Sequence, residues 1–236
     1  MNRKWQLLLI FMAAGACAGR AALIAGWNFN NQTIGTAPAS IAADHGSGSL
    51  DLSKLANSFD ANIGSSSSGT SVNAVAGDSP GSDFFVQGGS GEVENGRTII
   101  FSCGTVGYRD IVLTYATDRS GTGFTSQQWS YSTDNVNFTS FKTITSIGTS
   151  YSATGVETVD FSTEATVNND SVVYFQLKLN GATGSAGSNH FDNFQINATP
   201  IPELDAGAAI SAAGLFGICV LRLWRQRRQQ NLAAIN

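Results

Sequence analysis

The chain has 236 residues, of which 42% are hydrophobic and only 13% charged, with a formal net charge of -4. That length suits one ordinary domain with tails, and the apolar fraction suffices for one sizeable core. The absence of a basic interior argues against a nucleic-acid partner, and a 10% aromatic content argues against a disordered chain.

Residues 1–22 read as a secretory signal. Arg3 and Lys4 supply a positive start, Leu7 to Ala14 a short apolar run, and Ala16 and Ala18 the small residues of a cleavage site. The run is too short for a good membrane span.

Residues 23–199 alternate as strands do. Leu23, Ala25, Trp27 and Phe29 share one parity. Ile99, Phe101 and Cys103 share another, as do Ile111, Leu113 and Tyr115. Trp129 and Tyr131, then Val159 and Phe161, then Val173, Phe175, Leu177 and Leu179, and finally Phe194 and Ile196 repeat the pattern. A period of two places apolar side chains on a core and polar ones in water, and no helical period competes with it here. Asp134-Asn135 is a turn former, which predicts a hairpin over Gln127 to Phe141. Thr33 to Gly96 is rich in Gly and Ser. It predicts long loops, with short strands only at Ser49–Leu52 and Phe84–Gln87. The predicted fold is all-β, an antiparallel β-sandwich of jelly-roll or lectin-like type, preceded by a signal helix and followed by a transmembrane helix.

That last helix comes from residues 200–228. Pro202-Glu203 leads into an apolar segment from Ala206 to Leu221, extended by Leu223 and Trp224. Residues 206–224 are long enough to cross a bilayer if the flanking arginines snorkel. Arg222, Arg225, Arg227 and Arg228 would hold the cytoplasmic side, with 229–236 as a cytoplasmic tail.

The order of Pro202-Glu203, an apolar segment and an Arg-rich end resembles the PEP-CTERM sorting signal of exopolysaccharide-producing Gram-negative bacteria. Leu204 stands where that family usually has a second proline. The resemblance implies an exosortase-type processing enzyme as partner, transient anchoring in the membrane, and display on the cell envelope or in the extracellular matrix. A second resemblance lies in the body. Gly107 to Tyr115, Arg119 to Phe124, Tyr131 to Asp134 and Phe191 to Ile196 are similar to stretches of exported bacterial β-sandwich domains of the galactose-binding or lectin-like type.

Without its ends the chain carries six basic against fifteen acidic side chains, a net of −9. This disfavours anionic lipid and nucleic acid as partners and is compatible with divalent cations. Cys103 is alone in the body and alternates with Ile99 and Phe101, which predicts a buried structural thiol. His45 reads as part of a solvated turn and His190 as a strand-edge polar residue. No nucleophile elbow, zinc-binding helix, C-x-x-C pair or phosphate loop occurs.

Two chemistries remain. Asn28 and Asn30 near the start of the body, and Asp192 and Asn193 near its end, are oxygen donors that meeting termini would bring together for calcium. Asp192 carries the inward parity of Phe194. Trp129 and Tyr131, adjacent on one face, could stack on a sugar, or else fill the core. The expected function is a non-catalytic structural or binding role in the envelope or matrix, associated with extracellular polysaccharide. The alternative is a small secreted carbohydrate-active enzyme that uses a pair of its fifteen acids.

Overall fold

The computed structural model describes residues 20–202. In chain order the strands are β1 (Ala22–Trp27), β2 (Gly35–Thr36), β3 (Ser40–Ala42), β4 (His45–Gly46), β5 (Ser49–Asp51), β6 (Ala61–Ile63) and β7 (Phe84–Gln87). They continue with β8 (Thr98–Cys103), β9 (Tyr108–Arg119), β10 (Ser126–Ser132), β11 (Thr139–Ile144), β12 (Val156–Asp160), β13 (Val173–Asn180) and β14 (Ser188–Pro200). One four-residue helix, α1 (Tyr151–Thr154), lies between β11 and β12. The strands form two antiparallel sheets. Sheet A runs β12-β9-β14-β7-β6-β2, with β1 also paired to β14 and to β4; sheet B runs β11-β10-β13-β8-β5-β3. The expected antiparallel sandwich is what the chain forms. The signal helix and the transmembrane segment 206–224 lie outside the described residues. Among the described residues no helix is long and apolar enough to cross a membrane.

The inward parity of each long strand supplies the core. Along β13, Val173, Phe175, Leu177 and Leu179 are buried and their neighbours are not. Tyr115 and Phe194 stack across sheet A with ring centres 4.9 Å apart, and Phe101 of sheet B meets Phe194 at 4.4 Å. Trp27 meets the edge of Phe101 at 5.1 Å. Large aromatics dominate because two facing sheets about 10 Å apart leave a gap that only long side chains bridge. Cys103 belongs to this layer, and burial pushes its thiol up to about 12, in keeping with a structural role.

The expected hairpin is β10-β11, with Asn135 at φ 58° in its turn. Asp134 holds that turn by accepting from the amides of Val136 at 2.9 Å and Asn137 at 2.8 Å. Ser49–Leu52 and Phe84–Gln87 appear as β5 and β7. The loop prediction for Thr33 to Gly96 needs correction, because β2, β3, β4 and β6 also lie there. Each is two or three residues of mostly small side chains, too short to show alternation. Only 64–83 remains a long strand-free segment in this part of the chain.

Candidate functional site

Two outward faces result from this architecture, and they differ in what happens to their polar groups. On sheet A the face is covered by the segment 64–83 and by α1. The bulge in β14 explains why. Between Asp192 and Gln195 the register against β9 shifts, and Asn193 sits at φ 50°, a conformation Asn tolerates. Phe191 and Phe194 therefore both face the core, with ring centres 5.8 Å apart. Asp192 does not share the inward parity of Phe194, as the uninterrupted pattern predicted. It lies on the outer side, opposite Ala116, and is buried there by the covering segment.

The cover is fastened by polar groups of β14. Asp192 accepts from the amides of Thr70 at 2.8 Å and Asn193 at 2.7 Å. The Asn193 amide group donates to the carbonyls of Thr70 and Val72. Asn73 donates back to the Asn193 carbonyl. Beside them Asp83, fully buried, accepts from His190 Nδ1 at 2.6 Å, from Tyr151 at 3.0 Å and from Ser68. His190 stacks on Phe85 with ring centres 4.8 Å apart. Burial alone would lower the His190 imidazole, but the bond and charge of Asp83 outweigh it and the net direction is upward. Burial would raise Asp83, yet the bonds from His190 and Ser68 hold it below the usual carboxylate range. Burial pushes Asp192 up to about 8, against its two amide donors.

The first and last strands of the body do meet, as expected: Trp27 pairs with Phe194, which sets Asn28 beside the bulge. The carboxylate of Asp192 and the side-chain oxygens of Asn28 and Asn30, expected for calcium, have protein partners there. Asn28 Oδ1 accepts from the Asn30 amide and its Nδ2 donates to Asp78 at 2.8 Å. Asn30 Oδ1 accepts from the Ser82 amide. His45 is no solvated turn residue; it pairs with Asp78 at 2.8 Å. Among the described residues no group of three or more His, Cys, Asp or Glu side chains is placed to hold a metal ion.

The sugar-stacking expectation for Trp129 is overturned. Trp129 is fully buried, and its indole Nε1 donates to the Tyr115 hydroxyl at 3.0 Å, which in turn donates to Gln127. Tyr131 is half-buried against Phe141 and Phe161 and its hydroxyl bonds Glu164. Both side chains belong to the inward parity of β10, so they fill the sandwich. Of the sorting-signal residues, Pro202 ends the described chain, exposed, while Glu203, Arg222, Arg225, Arg227 and Arg228 lie outside the described residues.

The outer face of sheet B is of another kind. Across four strands Thr143, Gln128, Lys178 and Thr98 stand in one register row. The next row holds Ser140, Ser130, Gln176, Ile100 and Asp51, and the one beyond it Ser132, Tyr174, Ser102 and Ser49. A shallow cleft of about 160 Å³ opens between Ser126, Gln128, Thr143, Lys178 and Asn180. Among the described residues the side chains of Ser126, Gln128, Thr143, Gln176, Lys178 and Asn180 bond no other protein group, in contrast to the fastened polar groups of sheet A. Tyr174, half-exposed on the same face, adds an aromatic surface. The polar parity of β13 was legible in the sequence as the solvent side. What was not legible was that β10, β11 and β8 align their own polar residues with it, since register is a tertiary property.

No protein-family model matches the chain, and no curated protein matches it. Solved structures of similar shape exist. The N-terminal tandem CBM22-1–CBM22-2 domain of Paenibacillus barcinonensis Xyn10C is 11% identical, with a TM-score of 0.44 over 81% of this chain and 50% of that one. A cyclase from Fischerella sp. TAU is 15% identical, with a TM-score of 0.47 over 78% of this chain and 100% of that one. A cleaved adhesin domain of Lys-gingipain from Porphyromonas gingivalis is 12% identical, with a TM-score of 0.41 over 75% and 98%. Likeness at this level specifies no ligand, reaction or partner for the present chain.

Proposed function

We propose that the chain is an exported, non-catalytic protein of the cell envelope or extracellular matrix that binds polysaccharide through the outer face of sheet B. One observation carries the binding: a sheet face whose hydroxyl, amide and ammonium groups are left unspent by the fold, with an aromatic ring beside them. Sugars are bound by many hydrogen bonds to such groups, with apolar ring faces resting on aromatics. A cleft of about 160 Å³ is well under the ~300 Å³ of an enclosed small-molecule pocket. It suits one ring of a longer polymer lying across the strands. The acids of sheet A are less suited to substrate, because Asp83 and Asp192 are buried and already bonded. The secretory signal in residues 1–22 and the PEP-CTERM-like tail support export, anchoring and processing by an exosortase-type enzyme.

Affinity electrophoresis of the full chain through gels containing a panel of neutral and acidic polysaccharides tests this. At least one polymer is expected to retard the protein. The pair of changes Tyr174→Ala and Gln128→Ala is expected to weaken that retardation about tenfold without moving the melting temperature, since both side chains face outward. Retardation unchanged in the double variant would remove sheet B as the binding face.

A further inference from the structure

Lys178 stands apart within the cleft. The body carries six basic against fifteen acidic side chains, yet the one charged side chain lining this cleft is a cation. Its cross-strand neighbours are Gln128 and Thr98, and its same-face neighbours along β13 are Gln176 and Asn180. All four are neutral. Among the described residues no carboxylate pairs with it; the ion pairs of the fold are His45–Asp78, Arg109–Asp110 and His190–Asp83. Among the described residues Arg109 is the one Lys or Arg paired with a carboxylate, so what marks Lys178 is its setting: an ammonium ringed by neutral hydrogen-bonding groups is a seat for an anion that also carries hydroxyls.

We infer that the polymer taken by this face is an acidic polysaccharide, with the carboxylate or sulfate of one sugar ring on Lys178 Nζ and its hydroxyls on Gln128, Asn180, Ser126 and Thr143. This rests on the binding role proposed above and specifies its ligand. The ammonium is a point charge with three donors and accepts either anion without a fixed geometry. The excess of acids does not forbid it. At physiological salt, charges more than about 8 Å away are largely screened; Asp118 and Asp192 lie on the other sheet, and Asp83 immediately precedes that sheet's strand β7. The nearest acid in register is Asp51, one row over and two strands away.

The test uses the full chain with four probes: polygalacturonate, its fully methyl-esterified form, dextran sulfate and dextran. Polygalacturonate is expected to bind about tenfold more tightly than the ester, as befits one charge-assisted hydrogen bond. Lys178→Gln is expected to erase that preference while leaving the weaker binding of the ester intact, and Lys178→Arg to retain most of it. Tighter binding of dextran sulfate than of polygalacturonate, lost in Lys178→Gln, identifies sulfate as the anion. Equal binding of the acid and its ester, still sensitive to Tyr174→Ala, overturns the acidic ligand but not the polysaccharide role. A preference that survives Lys178→Gln overturns Lys178 as the seat. Binding of none of the four overturns both readings.

Discussion

Trp129→Ala is expected to cost about 3–5 kcal/mol of folding stability. The side chain is fully buried between Tyr115, Phe101 and Phe194, with ring centres at 5.5, 5.9 and 6.4 Å. Truncation leaves a cavity at the middle of the aromatic layer that two hydrogen-bonded sheets cannot collapse to fill. It also removes the indole donor from the Tyr115 hydroxyl, which then relies on Gln127 alone. For a domain of this size such a loss lowers the melting temperature by roughly 10 °C or more. Polysaccharide affinity per folded molecule is expected to stay the same, because Trp129 points away from the cleft. Trp129→Phe, which keeps most of the packing and loses the indole donor, is expected to cost less than half as much. Thermal denaturation alongside gel retardation separates the two roles; a loss of binding at unchanged stability would return Trp129 to the sugar site.

The second large effect is on pH dependence, and it comes from the fastening of segment 64–83. Asp192 has its proton affinity raised in the fold, so its contribution is fullest below the unfolded value near 3.9 and is lost as pH rises through about 8. His190 is raised as well, so its stabilisation is complete below about 6.5 and is lost as pH climbs through its higher folded value. Burial pushes Asp118, Glu94 and Glu157 the same way. Asp83 is lowered, so its share is present above about 3.9 and lost only as pH falls through its folded value. Stability is therefore expected to peak near pH 4–5 and to decline steadily toward pH 8. Many domains are instead most stable between about pH 5 and 8.

His190→Gln should flatten the part of this decline above about pH 6.5. It should also cost about 2–3 kcal/mol at pH 5, because Asp83 stays buried with fewer donors. That figure sits below the usual range for a buried pair because the imidazole is 30% exposed. Melting curves across pH 4–9 check both statements, and a wild-type optimum above pH 7 would contradict them.

The residues that defined the core were readable from alternation alone. Val173 to Leu179, Ile111 to Tyr115, Trp27 and Ile196 all face inward as their parity required. Parity failed at Asp192 because a bulge is set by one backbone conformation, Asn193 at φ 50°, and no hydrophobic pattern encodes it. It failed for the sugar expectation in a different way. Trp129 and Tyr131 were placed correctly on one face, but an isolated strand does not say which of its two faces meets the other sheet. The unspent face of sheet B lay in the same seven residues, at Ser126 and Gln128, and became visible only once β13 and β11 supplied its neighbours. The fastening of Asp83 to His190 spans 107 residues, and that of Asp192 to Thr70 spans 122. Contacts so distant leave no trace in local pattern.

Amide-resolved NMR titration of the protein with soluble oligomers of glucose, galactose and galacturonic acid tests the binding face most directly. Shift changes are expected on β10 and β13, centred on Gln128, Gln176 and Lys178, with the amides of Asp83, His190 and Asp192 unmoved. Shifts confined to segment 64–83 and β14, or no shifts with any of the three oligomers, would contradict the assignment of sheet B as a polysaccharide-binding surface.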